Sequence, residues 1–128
     1  MKKFYILCLF PLLFATTCED DLNSGFETSY FIGNSSSIDL LYLSEGGNFI
    51  EISPGSKPLI GSILNSETIE VLPSEAMLFN AIKLYVPENG NFIQVYLQDP
   101  IDNDTWDLSE PVTNRFEYSL VITDDDLN

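Results

Sequence analysis

In the stretch AIKLYVPENGNFIQVYLQ, residues 81–98, two apolar and polar alternations flank the dipeptide Asn89-Gly90. A two-residue type I′ turn needs positive φ at both central positions, which Asn and Gly tolerate, and its twist matches that of paired strands. The pattern therefore dictates an antiparallel hairpin. With Asn89-Gly90 as the loop, Val86 faces Ile93, Leu84 faces Val95 and Ile82 faces Leu97 on one side. Lys83 with Tyr96 and Tyr85 with Gln94 occupy the other. A slip of one residue would turn every one of these side chains to the wrong face.

A second hairpin is expected in IDLLYLSEGGNFIEIS, residues 38–53. Gly46-Gly47 as the loop sets Leu43 opposite Ile50 and Leu41 opposite Ile52, with Glu45-Gly46 as the competing turn. Ile38, Leu40 and Tyr42 make the other face apolar too, the mark of a central strand covered on both sides. Further strands are expected at 27–32, 68–72 and 116–123. In the last, Phe116, Tyr118, Leu120 and Ile122 alternate with Glu117, Ser119 and Thr123. Residues 72–81, LPSEAMLFNA, carry the one helical pattern, with Ser74 as N-cap and Met77, Leu78 and Ala81 at helical spacing. A single short turn of helix near 74–81 is expected. About seven short antiparallel strands without a disulfide predict an all-β fold, an immunoglobulin-like β-sandwich, with a small open barrel as the alternative.

The N-terminus has a different character. Met-Lys-Lys is a basic start, residues 4–14 are apolar, and Ala-Thr-Thr precedes Cys18. The apolar stretch is far short of the roughly 20 residues of a membrane-spanning helix and has the proportions of a secretory signal peptide. Residues 1–17 are therefore expected to be removed. Cys8 leaves with them, so Cys18 becomes the first residue of the mature chain and has no partner for a disulfide. Without any histidine or second thiol it is also a poor metal ligand. Residues 18–26, polar and rich in acids, are expected to form a tether, and 27–128 a single domain. Of 5 basic and 20 acidic residues, removal of Lys2 and Lys3 leaves 3 against 20, a net charge of −17. Nucleic acid is excluded as a partner on that ground, since phosphate binding needs clustered Lys and Arg.

The sequence Ala15-Thr16-Thr17-Cys18 resembles the lipobox of bacterial lipoproteins, with Ala15 where Leu is commonest and Thr17 where Gly or Ala is usual. Glu19-Asp20-Asp21 resembles the acidic export signal of surface lipoproteins in Bacteroidetes. The ending YSLVITDDDLN and the interior GGNFIEISPGS are similar to small lipoproteins of those bacteria that join a short signal to one all-β domain. The resemblance implies a covalent lipid on Cys18 and residence in the outer membrane at the cell surface, with the periplasmic face as the alternative. An ordinary secreted protein cut near Ala15 is the competing reading. Each buried methylene contributes about 0.8 kcal/mol, and more than one acyl chain holds a protein stably on a membrane. The resemblance supplies no activity.

The residues themselves restrict the chemistry. With no histidine and no free mature thiol, Ser-His-Asp and Cys-His catalysis and the usual zinc sites are closed. A carboxylate pair of the glycosidase kind remains, but among 20 acids some pair falls at a suitable distance by chance. The expectation is a protein that is not an enzyme and that binds an envelope protein or a glycan. In QDPIDNDTWD, residues 98–107, Asp99, Asp102, Asp104 and Asp107 crowd with Asn103, and calcium takes about six to eight oxygens. The spacing departs from an EF-hand loop, so calcium is the alternative to a solvated acidic loop whose side chains cap their own turns. Tyr85, Tyr96 and Trp106 are the candidate aromatic contacts to a sugar. Replacing Cys18 with Ser should move the protein out of the membrane fraction, and its retention there on fractionation would overturn the anchor.

Overall fold

The computed structural model describes residues 26–65 and 68–128; the expected signal segment 1–17, Cys18 and the expected tether through residue 25 lie outside the described residues. Eight strands run through it: β1 (Phe26–Asn34), β2 (Leu40–Leu43), β3 (Phe49–Ile52), β4 (Leu59–Asn65), β5 (Ile82–Glu88), β6 (Asn91–Gln98), β7 (Trp106–Val112) and β8 (Arg115–Ile122). They form two four-stranded sheets in the orders β4-β1-β8-β7 and β3-β2-β5-β6. The all-β sandwich that the sequence predicts is present, with eight strands instead of about seven. One pair, β1 with β8, is parallel. The strand order also differs from the ABED and CFG sheets of immunoglobulin constant domains.

Period-two alternation builds the core. Thr28, Tyr30, Ile32 and Asn34 of β1 turn inward and are buried, and β8 answers with Phe116, Tyr118, Leu120 and Ile122. The facing sheet supplies Leu40, Tyr42, Ile52, Ile82, Leu84 and Val95. Burying each large apolar side chain contributes about 1.5–3 kcal/mol. Tyr30 is the hub. Its ring stacks on Tyr118 with centroids 6.1 Å apart and meets Phe79 and Trp106 edge-on at 5.4 and 6.4 Å. Its hydroxyl donates to the Val71 carbonyl at 2.7 Å.

Both hairpins form, each in a register the pattern alone does not predict. Val86 does face Ile93, but an irregularity beyond Tyr85 and Gln94 pairs Leu84 with Tyr96 and Ile82 with Gln98. Val95 is the extra residue of this β-bulge. Tyr96, expected outside, packs against the core, while Leu97 turns out to solvent. The bulge delivers the Gln98 amide to an interior set of partners. Its Oε1 accepts from the Trp106 indole at 3.0 Å and its Nε2 donates to Thr105 Oγ1 at 2.8 Å and to the Tyr96 hydroxyl at 3.1 Å. A buried amide left without such partners would cost about 1–3 kcal/mol per group.

In the second hairpin the loop is Glu45-Gly46-Gly47, a three-residue turn closed by Gly47 at φ +80° and by the Gly47 N–H donating to the Ser44 carbonyl at 2.9 Å. Leu43 therefore pairs with Phe49 and Leu40 with Ile52. Leu40, Tyr42 and Ile52 enter the core, and Leu41 and Leu43 take the outer face.

Other expectations are corrected. Residues 68–72 form no strand, because their hydrogen bonds go to side chains: Val71 N–H donates to Thr28 Oγ1 and its carbonyl accepts from Tyr30. The expected helical turn is one 3₁₀ turn, Pro73–Glu75, with Leu72 at the N-cap. Met77 is 99 % exposed, and Pro73, Ala76 and Phe79 are the buried residues of this segment. Among the described residues no helix is long and apolar enough to cross a membrane.

Burial raises the pKa of Tyr42, with Glu45 adding to the effect, to about 12. Burial likewise pushes Tyr30, Tyr96 and Tyr118 upward. Each folded value lies above the unfolded one, so the stability these rings contribute is whole below about pH 10 and is lost as pH rises through the folded values. Titrating the protein from pH 9 upward should give unfolding, read by circular dichroism, concurrent with tyrosinate absorbance. Ionisation of all the tyrosines near their ordinary pKa with no loss of fold would contradict the packing.

Candidate functional site

An open groove of about 550 Å³ lies at the end of the sandwich where β1 finishes. Three connections meet there. Ser37, Ile38 and Asp39 come from the β1–β2 loop, Pro54 from the β3–β4 loop, and Val86, Pro87 and Glu88 from the end of β5. Its volume falls in the range of small-ligand and peptide-side-chain sites. The described chain enters at the opposite end. β1 begins at Phe26, and eight steps of about 3.3 Å place its two ends roughly 26 Å apart.

Asn34 holds the groove in shape. It takes the last inward position of β1, where alternation demands a core residue, and its amide is fully occupied. Nδ2 donates to the Ile38 and Ile52 carbonyls, both at 2.7 Å, and Oδ1 accepts from the Ser36 N–H at 2.9 Å and from its hydroxyl at 2.6 Å. One side chain thus ties the β1–β2 loop to the end of β3. The loop is latched a second time. The Ser37 N–H and hydroxyl each donate to Asp124 Oδ1 at 2.8 Å, which lowers the Asp124 carboxyl pKa below its ordinary value.

Apolar surface from Ile38, Pro54, Val86 and Pro87 is rimmed by Asp39 and Glu88, and no lining residue is cationic. The three described cations lie elsewhere. Lys57 sits 5.0 Å over the Phe31 ring and donates to Ser119 Oγ, Arg115 pairs with Glu27, and Lys83 stands on the outer face of β5. The groove therefore suits neutral or cationic groups with an apolar body and disfavours anions.

The residues singled out from the sequence fall in other places. Cys18 lies outside the described residues. Asp99, Asp102, Asp104 and Asp107 are exposed. Asp102 caps the 3₁₀ turn Asn103–Thr105 by accepting from the Asp104 N–H at 3.0 Å, and Asp107 pairs with Ser119 in the β7–β8 ladder. Among the described residues no three His, Cys, Asp or Glu side chains gather into a set that could hold a metal ion. Tyr85, Tyr96 and Trp106 do not share a face. Trp106 is 5 % exposed and stacks on Phe79 at 5.8 Å, Tyr96 joins it through Gln98, and Tyr85 meets the Phe49 ring at 5.9 Å on the outer face of the β3-β2-β5-β6 sheet. The bulge in β6 turns Tyr96 inward, and Trp106 begins β7 in the opposite sheet.

The groove residues escape sequence reasoning because they come from three separate loops and carry no motif. One signal was available. The inward series Thr28, Tyr30, Ile32 ends on Asn34, and a polar side chain at a core position must find partners in a neighbouring loop. The chain matches no protein-family model, no curated protein and no solved structure.

Asn34→Ala leaves the Ile38 and Ile52 carbonyls and the Ser36 N–H without their partner and should destabilise the domain by about 3 kcal/mol in denaturant unfolding. Ser36→Ala, which removes a hydroxyl and leaves the amide largely bonded, should cost about 1 kcal/mol. Equal losses would mean that Asn34 does not organise the loop.

Proposed function

We propose that the chain is a lipid-anchored, non-catalytic binding domain of the outer envelope, attached through Cys18 and offering the groove at its far end to a partner. The observation that carries this reading is the polarity of β1: chain entry at Phe26 and the groove beyond Asn34 occupy opposite ends of one nine-residue strand. A tether on one end leaves the other facing away from the membrane. The groove lining carries two carboxylates and no histidine, in keeping with recognition and not with acid–base turnover near neutral pH. The partner is an envelope protein or glycan whose contacting groups are apolar and neutral or basic. A strongly acidic chain keeps such a domain soluble beside the membrane and repels nucleic acid and anionic lipid alike.

A photoreactive side chain at Glu88 tests the orientation and the binding together. On intact cells it should form a discrete adduct, and an equivalent side chain at Thr113, in the β7–β8 turn near the tether, should not. Adducts from Thr113 and none from Glu88 would place the binding surface at the wrong end and sink the proposal.

A further inference from the structure

The outer face of the β3-β2-β5-β6 sheet carries a second candidate surface, separate from the groove. Phe49 and Phe92 are rooted on the two edge strands, yet their rings meet at 4.6 Å, nearly parallel, and Tyr85 abuts Phe49 edge-on. Phe49 is 40 %, Phe92 54 % and Leu97 49 % exposed. Leu41 and Leu43, half-buried, extend the patch along β2. Contiguous apolar surface of this kind on an exported domain marks an interaction site. Rings already locked against each other lose little side-chain freedom on docking, which is the property of an interface anchor.

The charge on this face singles out the occupant. The outward positions of the four strands carry one acid, Glu51, and one base, Lys83. A chain with a formal net charge of −15 therefore has here a neutral surface on which a second, equally acidic copy can settle without local repulsion. The two charges are also placed for self-complementarity. Glu51 pairs with Leu41, which pairs with Tyr85, and Lys83 is two residues from Tyr85 along β5. Strand spacing near 4.8 Å and a rise near 3.3 Å per residue put Glu51 and Lys83 about 12 Å apart, with their midpoint over β2 between Leu41 and Leu43. A two-fold axis lying in the face, perpendicular to the Glu51–Lys83 line and crossing that midpoint, sets Lys83 of each copy against Glu51 of the other, twice, with Leu41 and Leu43 between them. A basic partner would be repelled by Lys83 and drawn instead to the acidic remainder of the surface. A sugar would find few hydrogen-bonding groups beside the two phenyl rings.

We infer that this face is a homodimer interface, in which two copies pack outer sheet against outer sheet around the Phe49, Tyr85 and Phe92 cluster. In a chain tethered at the start of β1 the face turns sideways, toward other tethered copies. The interface does not depend on the tether, and its test is run without it.

Sedimentation equilibrium of the exported Cys18→Ser protein, with reductant present, should return twice the chain mass in the high micromolar range. Phe92→Glu places a charge on an exposed ring of the aromatic cluster and should weaken association by about tenfold or more. Lys83→Glu should weaken it as well, and the double exchange Glu51→Lys with Lys83→Glu should restore it. Leu64→Glu, on β4 of the other sheet and 77 % exposed, should leave the dimer unchanged. A monomer up to millimolar concentration, a dimer indifferent to Phe92→Glu, or a double exchange no better than Lys83→Glu alone would overturn the interface. Release of the Cys18→Ser protein from the membrane is read separately, so failure of the anchor and failure of the dimer are distinguishable.

Discussion

Burial of the inner edge of β1 is the constraint on which the rest of the domain depends. Thr28, Tyr30 and Ile32 insert between the sheets, and hydrogen bonding to β4 on one side and β8 on the other makes β1 a central strand. Tyr30 gathers Tyr118, Phe79 and Trp106 around its ring and reaches the Val71 carbonyl with its hydroxyl. The same alternation then places Asn34 inside. A polar amide at that depth is tolerable only when the surrounding chain supplies its partners. The β1–β2 loop and the end of β3 supply them, and the groove is the consequence.

Two buried amides thus do comparable work at two ends of the core. Asn34 organises the groove loops, and Gln98 unites Trp106, Tyr96, Thr105 and the Asp102 N–H. Each is a network that is favourable only when complete, because a half-satisfied buried group costs more than an apolar one. Such networks restrict the domain to one arrangement of loops. Acidic side chains meanwhile remain at the surface, where several cap local turns: Asp102 serves the turn before β7, and Asp126 accepts from the Thr123 N–H and hydroxyl after β8. Carboxylates spent in this way do not converge on a common centre.

Legibility from sequence followed the range of the interactions. Strands whose pattern is local and unbroken, such as β1, β5 and β8, could be located from alternation alone. β4 was hidden because Gly61 and Ser62 interrupt its apolar residues, and β7 because Asp107, Glu110 and Pro111 make WDLSEPV look like a loop. Both strands exist through pairing with β1 and β8, which no local signal reports. The Asn89-Gly90 turn was legible, with Asn89 at φ 51° and Gly90 at φ 80°. The bulge five residues later was not, since it answers to Trp106 and Thr105 in another part of the chain. Tyr96 and Trp106 were misplaced because their partners lie outside the hairpin, while Tyr85 stands on the outer face as expected, and the groove was invisible because its walls are distant in sequence.

Residue types and their order along the chain suffice for the β class, the two hairpins, the strongly acidic surface and the exclusion of histidine chemistry. These follow from residue type and short-range periodicity, which act through backbone preference and charge. The strand order, the registers, the burial of Trp106 and Tyr96, the groove held by Asn34 and the neutral aromatic face around Phe49 and Phe92 emerge from packing between the sheets. Those depend on which distant groups satisfy one another's hydrogen bonds and fill one another's space, and that selection is made between sheets, not along the chain.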